Sequence, residues 1–135
     1  MNCIFCKIVS GEIPTKILSQ NNSSISFLDA FPLAKGHVLV IPKKHHKKIQ
    51  DMTSDENSDL FSLVHLMTSK VDSFTGSTLI AIHNGKDAGQ EIPHVHVHLV
   101  PRNKSDTAGA IHSMFDSTLN LSESELEELY NELKI

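Results

Sequence analysis

The sequence predicts an α+β domain: an antiparallel, meander-like sheet crossed by one long helix, with a short N-terminal helix and a C-terminal tail helix. Three observations carry this expectation. Short apolar stretches recur between turn-forming residues. One segment, Leu60 to Phe74, repeats its apolar residues at three- and four-residue steps. The loops between the apolar stretches are mostly short, which favours antiparallel neighbours.

Residues 3–10, CIFCKIVS, read as a short helix stopped by Gly11, after which Pro14 forces an extended chain. Residues 16–20 are weakly strand-like, and NNSS at 21–24 is a turn signal. Ser24-Ile25-Ser26-Phe27-Leu28 alternates as a strand does and ends near Asp29. A loop, FPLAKG, leads to the apolar strand His37-Val38-Leu39-Val40-Ile41, which Pro42 stops. Thr53 and Glu56 form a capping box that opens the long helix. Leu60, Val64, Met67, Val71 and Phe74 are its apolar stripe, and Gly76 ends it. Thr78 to Ile82 is the next strand, and NGKDAGQEIP connects it to a last strand at 94–100. Residues 103–121 have no regular pattern. Ser122 and Glu125 repeat the capping-box signature, and Leu126, Leu129, Tyr130 and Leu133 mark the tail helix. The charge run SESELEEL is read as its solvated face.

At 135 residues the chain is long enough for a single domain with its own core, about 3–102, followed by an extension at 103–135. The composition, 39% hydrophobic and 21% charged, is that of a globular protein. The formal charge of −4 shows no basic surplus, which argues against a nucleic-acid or anionic-membrane binder but not against a small anionic ligand. No apolar run approaches the roughly 20 residues of a membrane span. No basic segment followed by a long apolar core opens the chain, so no secretory leader is expected, and a cytoplasmic location is. Cys3 and Cys6 are the only cysteines.

Residues 94–102, HVHVHLVPR, concentrate the chemistry. On a strand, residues two apart share a face, so His94, His96 and His98 point one way while Val95, Val97 and Leu99 enter the core. Three readings stand beside one another. The rings form a polar outer face; or they bind a metal; or one is a nucleophile. A zinc held by all three is unfavourable, because a strand places the outer pair roughly 13 Å apart at the backbone. A neutral imidazole attacks well when one nitrogen is bare and the other donates to a fixed acceptor. Neighbouring rings then donate to the charge that develops. Phosphorus is the fitting target, since the imidazole–phosphoryl bond is labile to water.

HVHVHLVPR resembles the His-x-His-x-His motif of the histidine triad (HIT) superfamily of nucleotide hydrolases and transferases. CIFCKIVSGEIPTKI, FLDAFPLAKGHVLVIPKKH and NGKDAGQEIPHVHVHLVPR are similar to family segments in family order, and together span most of residues 3 to 102. The resemblance implies that His96 is the nucleophile. It would form a covalent nucleotidyl-histidine at the α-phosphate, and water would release a nucleoside monophosphate. It implies that His98 contacts the phosphate and that Gln90 lies near the phosphate and leaving group. It places His37 beside the triad, Gly89 close to the ligand, and Asp29 on the ribose hydroxyls. Ile8, Ile25, Phe27 and Leu28 are then the candidates for an apolar base pocket. His37 and Asp29 also read as a structural histidine and a turn former. The chain departs from the family pattern at His83, where relatives carry Asn or Gln, so either His83 or the following Asn84 takes the phosphate-side role.

Cys3-x-x-Cys6 reads as a redox pair, as inert packing, or as half of a metal site. The resemblance implies the last: a structural zinc held by Cys3, Cys6, His45 and His94, with His46 as the rival to His45. It implies no organic cofactor, a purine nucleotide ligand such as AMP, and a homodimer with residues 53–75 near the contact. The N-terminal segment is similar to the Hint branch, which cleaves nucleoside phosphoramidates. AGQ and HVHVHLVPR are equally similar to the fragile-histidine-triad branch, which cleaves dinucleoside polyphosphates. A nucleotidyltransferase, a non-catalytic nucleotide-binding or interaction module, and a zinc hydrolase with metal at the triad are the alternatives.

Overall fold

The computed structural model describes residues 2–135. They form two compact units, residues 2–105 and 106–135. In the first, helix α1 (Ile4–Ser10) ends at Gly11, whose left-handed backbone lets its N–H reach the Ile8 carbonyl. Strands β1 (Ile17–Gln20), β2 (Ser24–Leu28) and β3 (Val38–Pro42) follow. Helix α2 (Ser54–Asp72) is opened by the expected capping box of Thr53 and Glu56. Strands β4 (Thr78–Ile82) and β5 (Val97–Pro101) complete an antiparallel sheet of order β1-β2-β3-β5-β4. The chain meanders through the first three strands. It crosses by α2 to the far edge and returns as β5, which is paired on both sides.

Period-two alternation divides the sheet residues between two faces. Leu60, Leu63, Val64, Met67 and Val71 of α2 pack on Val38, Val40, Val95, Val97 and Leu99. Each such buried side chain contributes about 1.5–3 kcal/mol. On the other face Cys3 and Phe5, from the start of the chain, pack on Ile25, Phe27, Leu39 and Ile41. The histidine-bearing side of β5 therefore faces α1.

Two boundaries differ from expectation. Helix α2 stops at Asp72, because the Gly76 N–H caps its carbonyl at 2.7 Å; Phe74 is outside the helix and exposed. Regular β5 starts at Val97, not at residue 94. The His94 N–H turns back to the Ile92 carbonyl, and the Val95 N–H bonds to the His46 carbonyl, so neither joins the ladder. His94 and His96 thus sit on an extended lead-in to the strand.

The second unit carries a 3-10 turn (Ile111–Met114) and helix α3 (Glu123–Leu133), opened by the Ser122–Glu125 capping box. No helix among the described residues is long and apolar enough to cross a membrane.

Candidate active site

A cavity of about 840 Å³ opens on the α1 side of the sheet. His37, His83, His96 and His98 line it, with Asp29, Gly89 and Glu91. Its apolar wall includes Ile8, Phe27 and Leu28, while Ile25 lies beneath in the core. A pocket of this size, mostly apolar with a few convergent polar groups, suits a small organic ligand.

The backbone determines the state of the triad rings. His96 Nδ1 lies 2.7 Å from the His94 carbonyl oxygen. A carbonyl only accepts, so Nδ1 carries the proton and Nε2 keeps its lone pair. Phe5 braces the ring edge-on at 5.1 Å between centroids. Burial lowers the His96 pKa, against the opposing pull of the Asp29 and Glu91 carboxylates, so the ring is neutral near pH 7.

His98 is prepared differently. The Leu33 N–H donates to His37 Nδ1 at 3.0 Å, which leaves the His37 proton on Nε2. That nitrogen donates to His98 Nδ1 at 3.0 Å. His98 must then carry its own proton on Nε2, as a neutral donor. Burial, then the adjacent His96 and His37 rings, push its pKa down to about 4. Asp29 Oδ2 lies 3.5 Å from His37 Nε2, and its Oδ1 accepts the Phe31 N–H at 2.8 Å.

Of the two residues open for the phosphate-side role, His83 lines the cavity, 5.7 Å between ring centroids from His98. Asn84 does not; its side chain bonds the Ile49 N–H and Gln50 Oε1. Gln90 also has other partners. Its Oε1 accepts the Gly85 N–H and its Nε2 donates to the Lys47 carbonyl, so it ties the 85–89 loop to the 47–48 segment.

A second cluster adjoins the triad. Cys3 Sγ, Cys6 Sγ, His45 Nδ1 and His94 Nδ1 all lie within 4.8 Å of one another, a group able to hold a metal ion. His94 Nε2 donates to the Pro42 carbonyl at 2.8 Å, which leaves Nδ1 bare toward Cys3 and Cys6 at 3.5 and 3.7 Å. His45 Nδ1 is 3.4 Å from Cys6 Sγ. His46 points elsewhere, to Glu56 Oε2 at 2.7 Å, which separates the two rivals. Both cysteines are free thiols.

Sequence reasoning did not single out Phe5, Glu91 or the pocket-lining Phe31 and Leu33. Glu91 had a signal in its place between Gln90 and the triad. Phe5 had none, since an aromatic in a short apolar helix reads as ordinary core.

Comparison with known proteins adds to this geometry. The HIT domain profile matches residues 10–105. The chain is similar to the adenosine 5'-monophosphoramidase of Schizosaccharomyces pombe, 40% identical over 102 residues, covering 76% of this chain and 75% of that one. It is 34% identical over 122 residues to an adenylylsulfatase of Arabidopsis thaliana, covering 89% of this chain and 62% of that protein. Among solved structures, a histidine triad nucleotide-binding protein from Candida albicans superposes with a TM-score of 0.85 at 32% identity, covering 98% of this chain and 95% of that one.

Proposed function

The chain belongs to the histidine triad (HIT) family, and from that premise we propose that it is a nucleotide hydrolase. It cleaves at the α-phosphate of purine nucleoside phosphoramidates or dinucleoside polyphosphates, through a covalent nucleotidyl-histidine. The observation that carries this reading is the 2.7 Å bond from His96 Nδ1 to the His94 carbonyl, which leaves a bare, neutral Nε2 on a ring that lines the cavity.

His96 Nε2 attacks the α-phosphorus, a P–N bond forms, and the bond to the leaving group breaks. Charge on the phosphate oxygens is met by the His98 Nε2–H, whose direction is set by His37. Water then attacks phosphorus, His96 departs with its electron pair, and a nucleoside monophosphate such as AMP is released. Ile8, Phe27 and Leu28 supply the base wall, Asp29 accepts from the ribose hydroxyls, and His83 faces the phosphate side. Gly89 admits the ligand to the backbone, and Gln90 and Asn84 hold the loop that carries it.

Cys3, Cys6, His45 and His94 fit a structural zinc. Zinc–sulfur bonds of about 2.3 Å and zinc–nitrogen bonds of about 2.0–2.1 Å imply tetrahedral ligand separations of roughly 3.3–3.8 Å; three of the four sulfur–nitrogen pairs stand at 3.4 to 3.7 Å, and all four atoms lie within 4.8 Å of one another. Four protein ligands close the coordination sphere, so the metal would fix the start of the catalytic strand and activate no water. We place the protein in a reducing, cytoplasmic setting suited to free thiols, and as a homodimer that covers exposed Phe61, Leu66 and Phe74 near residues 53–75.

Turnover of adenosine 5'-phosphoramidate and of diadenosine tetraphosphate, measured with wild type and His96→Ala, tests the reading. Hydrolysis by wild type with at least a thousandfold loss in the folded variant is expected. Normal turnover by His96→Ala would sink it.

A further inference from the structure

The start of α1 and the lead-in to β5 meet in a cluster of thiols and imidazoles that takes no part in the hydrolytic steps. Cys3 Sγ stands 3.5 Å and Cys6 Sγ 3.7 Å from the same nitrogen, His94 Nδ1. The two sulfurs lie within 4.8 Å of each other and are not bridged. Cys3 is the extended residue just before α1 and Cys6 is in the first turn, so the pair is set one turn apart. Cys3 is buried, whereas Cys6 is part-exposed. Phe5, between them in the chain, packs edge-on against His94 and His96, with centroids 5.7 and 5.1 Å away. The carbonyl of the same His94 accepts the His96 Nδ1–H at 2.7 Å. The residue that faces both thiols is therefore the one whose carbonyl fixes the His96 tautomer.

We propose that Cys3 and Cys6 are a redox-modification site: a peroxide joins them in a reversible disulfide, and that bond frees the segment that positions His96. Cys6 is the sulfur that a small oxidant reaches. It attacks one peroxide oxygen, the O–O bond breaks, and a sulfenic acid and water form. Cys3 then attacks the Cys6 sulfur, the S–O bond breaks, and a second water leaves. The two sulfurs give up two electrons to one peroxide, and the thiol protons depart in the water; metal-bound thiolates would draw those protons from solvent. The bond brings the sulfurs to about 2.05 Å, well inside the roughly 3.3–3.8 Å spacing of a tetrahedral donor set. Disulfide sulfurs carry no thiolate charge, so only His45 and His94 remain as donors, too few for a closed metal site. Phe5 moves with the bond, and His94 Nδ1 loses both sulfur partners. The Phe5 edge and the His94 carbonyl are the contacts that hold His96, so one bond disturbs both. A dithiol reverses the change by attack on the part-exposed Cys6 sulfur, as suits a reducing compartment, where disulfides are transient and often sensory. Bond formation does not depend on the hydrolase reading; only its effect on turnover does.

The test uses the full wild-type chain, loaded with zinc under reducing conditions and compared before and after an equivalent of hydrogen peroxide. The tryptic peptide MNCIFCK, which carries both cysteines, should lose a pair of hydrogens. A chromogenic chelator should find zinc released in step with that loss. Nitrogen NMR should show the His96 Nδ1–H signal weakening, and kcat on adenosine 5'-phosphoramidate should fall by roughly ten- to a hundredfold. Dithiothreitol with zinc should restore every readout. It does not reverse methionine oxidation, so recovery assigns the effect to the cysteines. Free thiols after peroxide, zinc retained by the disulfide-bonded chain, or a disulfide that leaves the His96 signal unchanged would each overturn the proposal. Absence of turnover by the reduced protein would remove the hydrolase reading and leave the peptide, zinc and NMR measurements to decide this one.

Discussion

His37 Nε2 lies 3.0 Å from His98 Nδ1, and the bond runs in one direction. The Leu33 N–H occupies His37 Nδ1, so the neutral His37 ring can donate only from Nε2. A main-chain amide in the 29–36 loop thereby decides which nitrogen of His98 presents a proton to the cavity.

Replacing His37 by Phe should remove that control. It leaves the Leu33 N–H and His98 Nδ1 without partners, at a cost of about 1–3 kcal/mol. The expected result is a kcat lower by roughly ten- to a hundredfold, with nitrogen NMR showing the His98 Nε2–H tautomer giving way to a mixture. His37→Gln, which accepts and donates in the same sense, should recover part of the rate. A His98 ring that keeps its tautomer in the Phe variant would remove His37 from the mechanism.

His94 and His96 should separate cleanly by mutation. His94→Ala deletes one of the four groups proposed to hold the metal and strips the Pro42 carbonyl of its donor. That second loss alone costs about 1–3 kcal/mol. Metal analysis should find zinc in wild type and His96→Ala, and little in His94→Ala. The melting temperature should fall for His94→Ala and for chelator-treated wild type, and hold for His96→Ala. Full zinc content in His94→Ala would refute the ligand set.

The fold was legible because its elements carry strong local signals. The capping box at Thr53 and Glu56 stands where the residue spacing puts it, and Val95, Val97 and Leu99 enter the core as period two requires. The start of β5 was not legible. It depends on the Val95 N–H meeting the His46 carbonyl, a contact between residues 49 positions apart. The placement of the candidate site was legible where chemistry constrains residue type: His96 and His98 line one cavity, and Cys3 and Cys6 meet His45 and His94. It was not legible where a side chain has two uses: Gln90 offers the same amide to a ligand or to the Lys47 carbonyl, and only the folded chain brings Lys47 near. His45 and His46 were likewise equivalent until Glu56 came within 2.7 Å of His46.

Stability should fall in mild acid. The folded His98 pKa is pushed from 6.5 down to about 4, and burial lowers that of His37 in the same direction. Unfolding frees both rings to take up protons at pH values where the folded rings do not. The contribution is therefore fully present above about pH 6.5 and is lost as pH drops toward 4. His98 adds about 1.4 kcal/mol per pH unit to the slope within that window, and His37 acts in the same direction. Urea midpoints between pH 7 and pH 4 should show this slope, and His98→Asn should flatten it by about one proton. An equal slope in the variant would mean that other groups carry the acid sensitivity.

Gly89 should tolerate no side chain. Its φ of 104° lies in the left-handed region, and a Cβ there would meet the His83 ring at 3.1 Å. Gly89→Ala therefore faces two separate penalties. The backbone strain costs about 1–2 kcal/mol, and His83 must shift or the 85–89 loop must open. Either response disturbs the cavity wall beside His98, while the core under α2 is untouched. The melting temperature should fall by a few degrees, and the affinity for AMP by roughly tenfold, the equivalent of about 1.4 kcal/mol. Combining the change with His83→Ala separates the two penalties. If the ring contact dominates, the double variant recovers affinity relative to Gly89→Ala. If backbone strain dominates, it does not, because removing the imidazole leaves φ where it was.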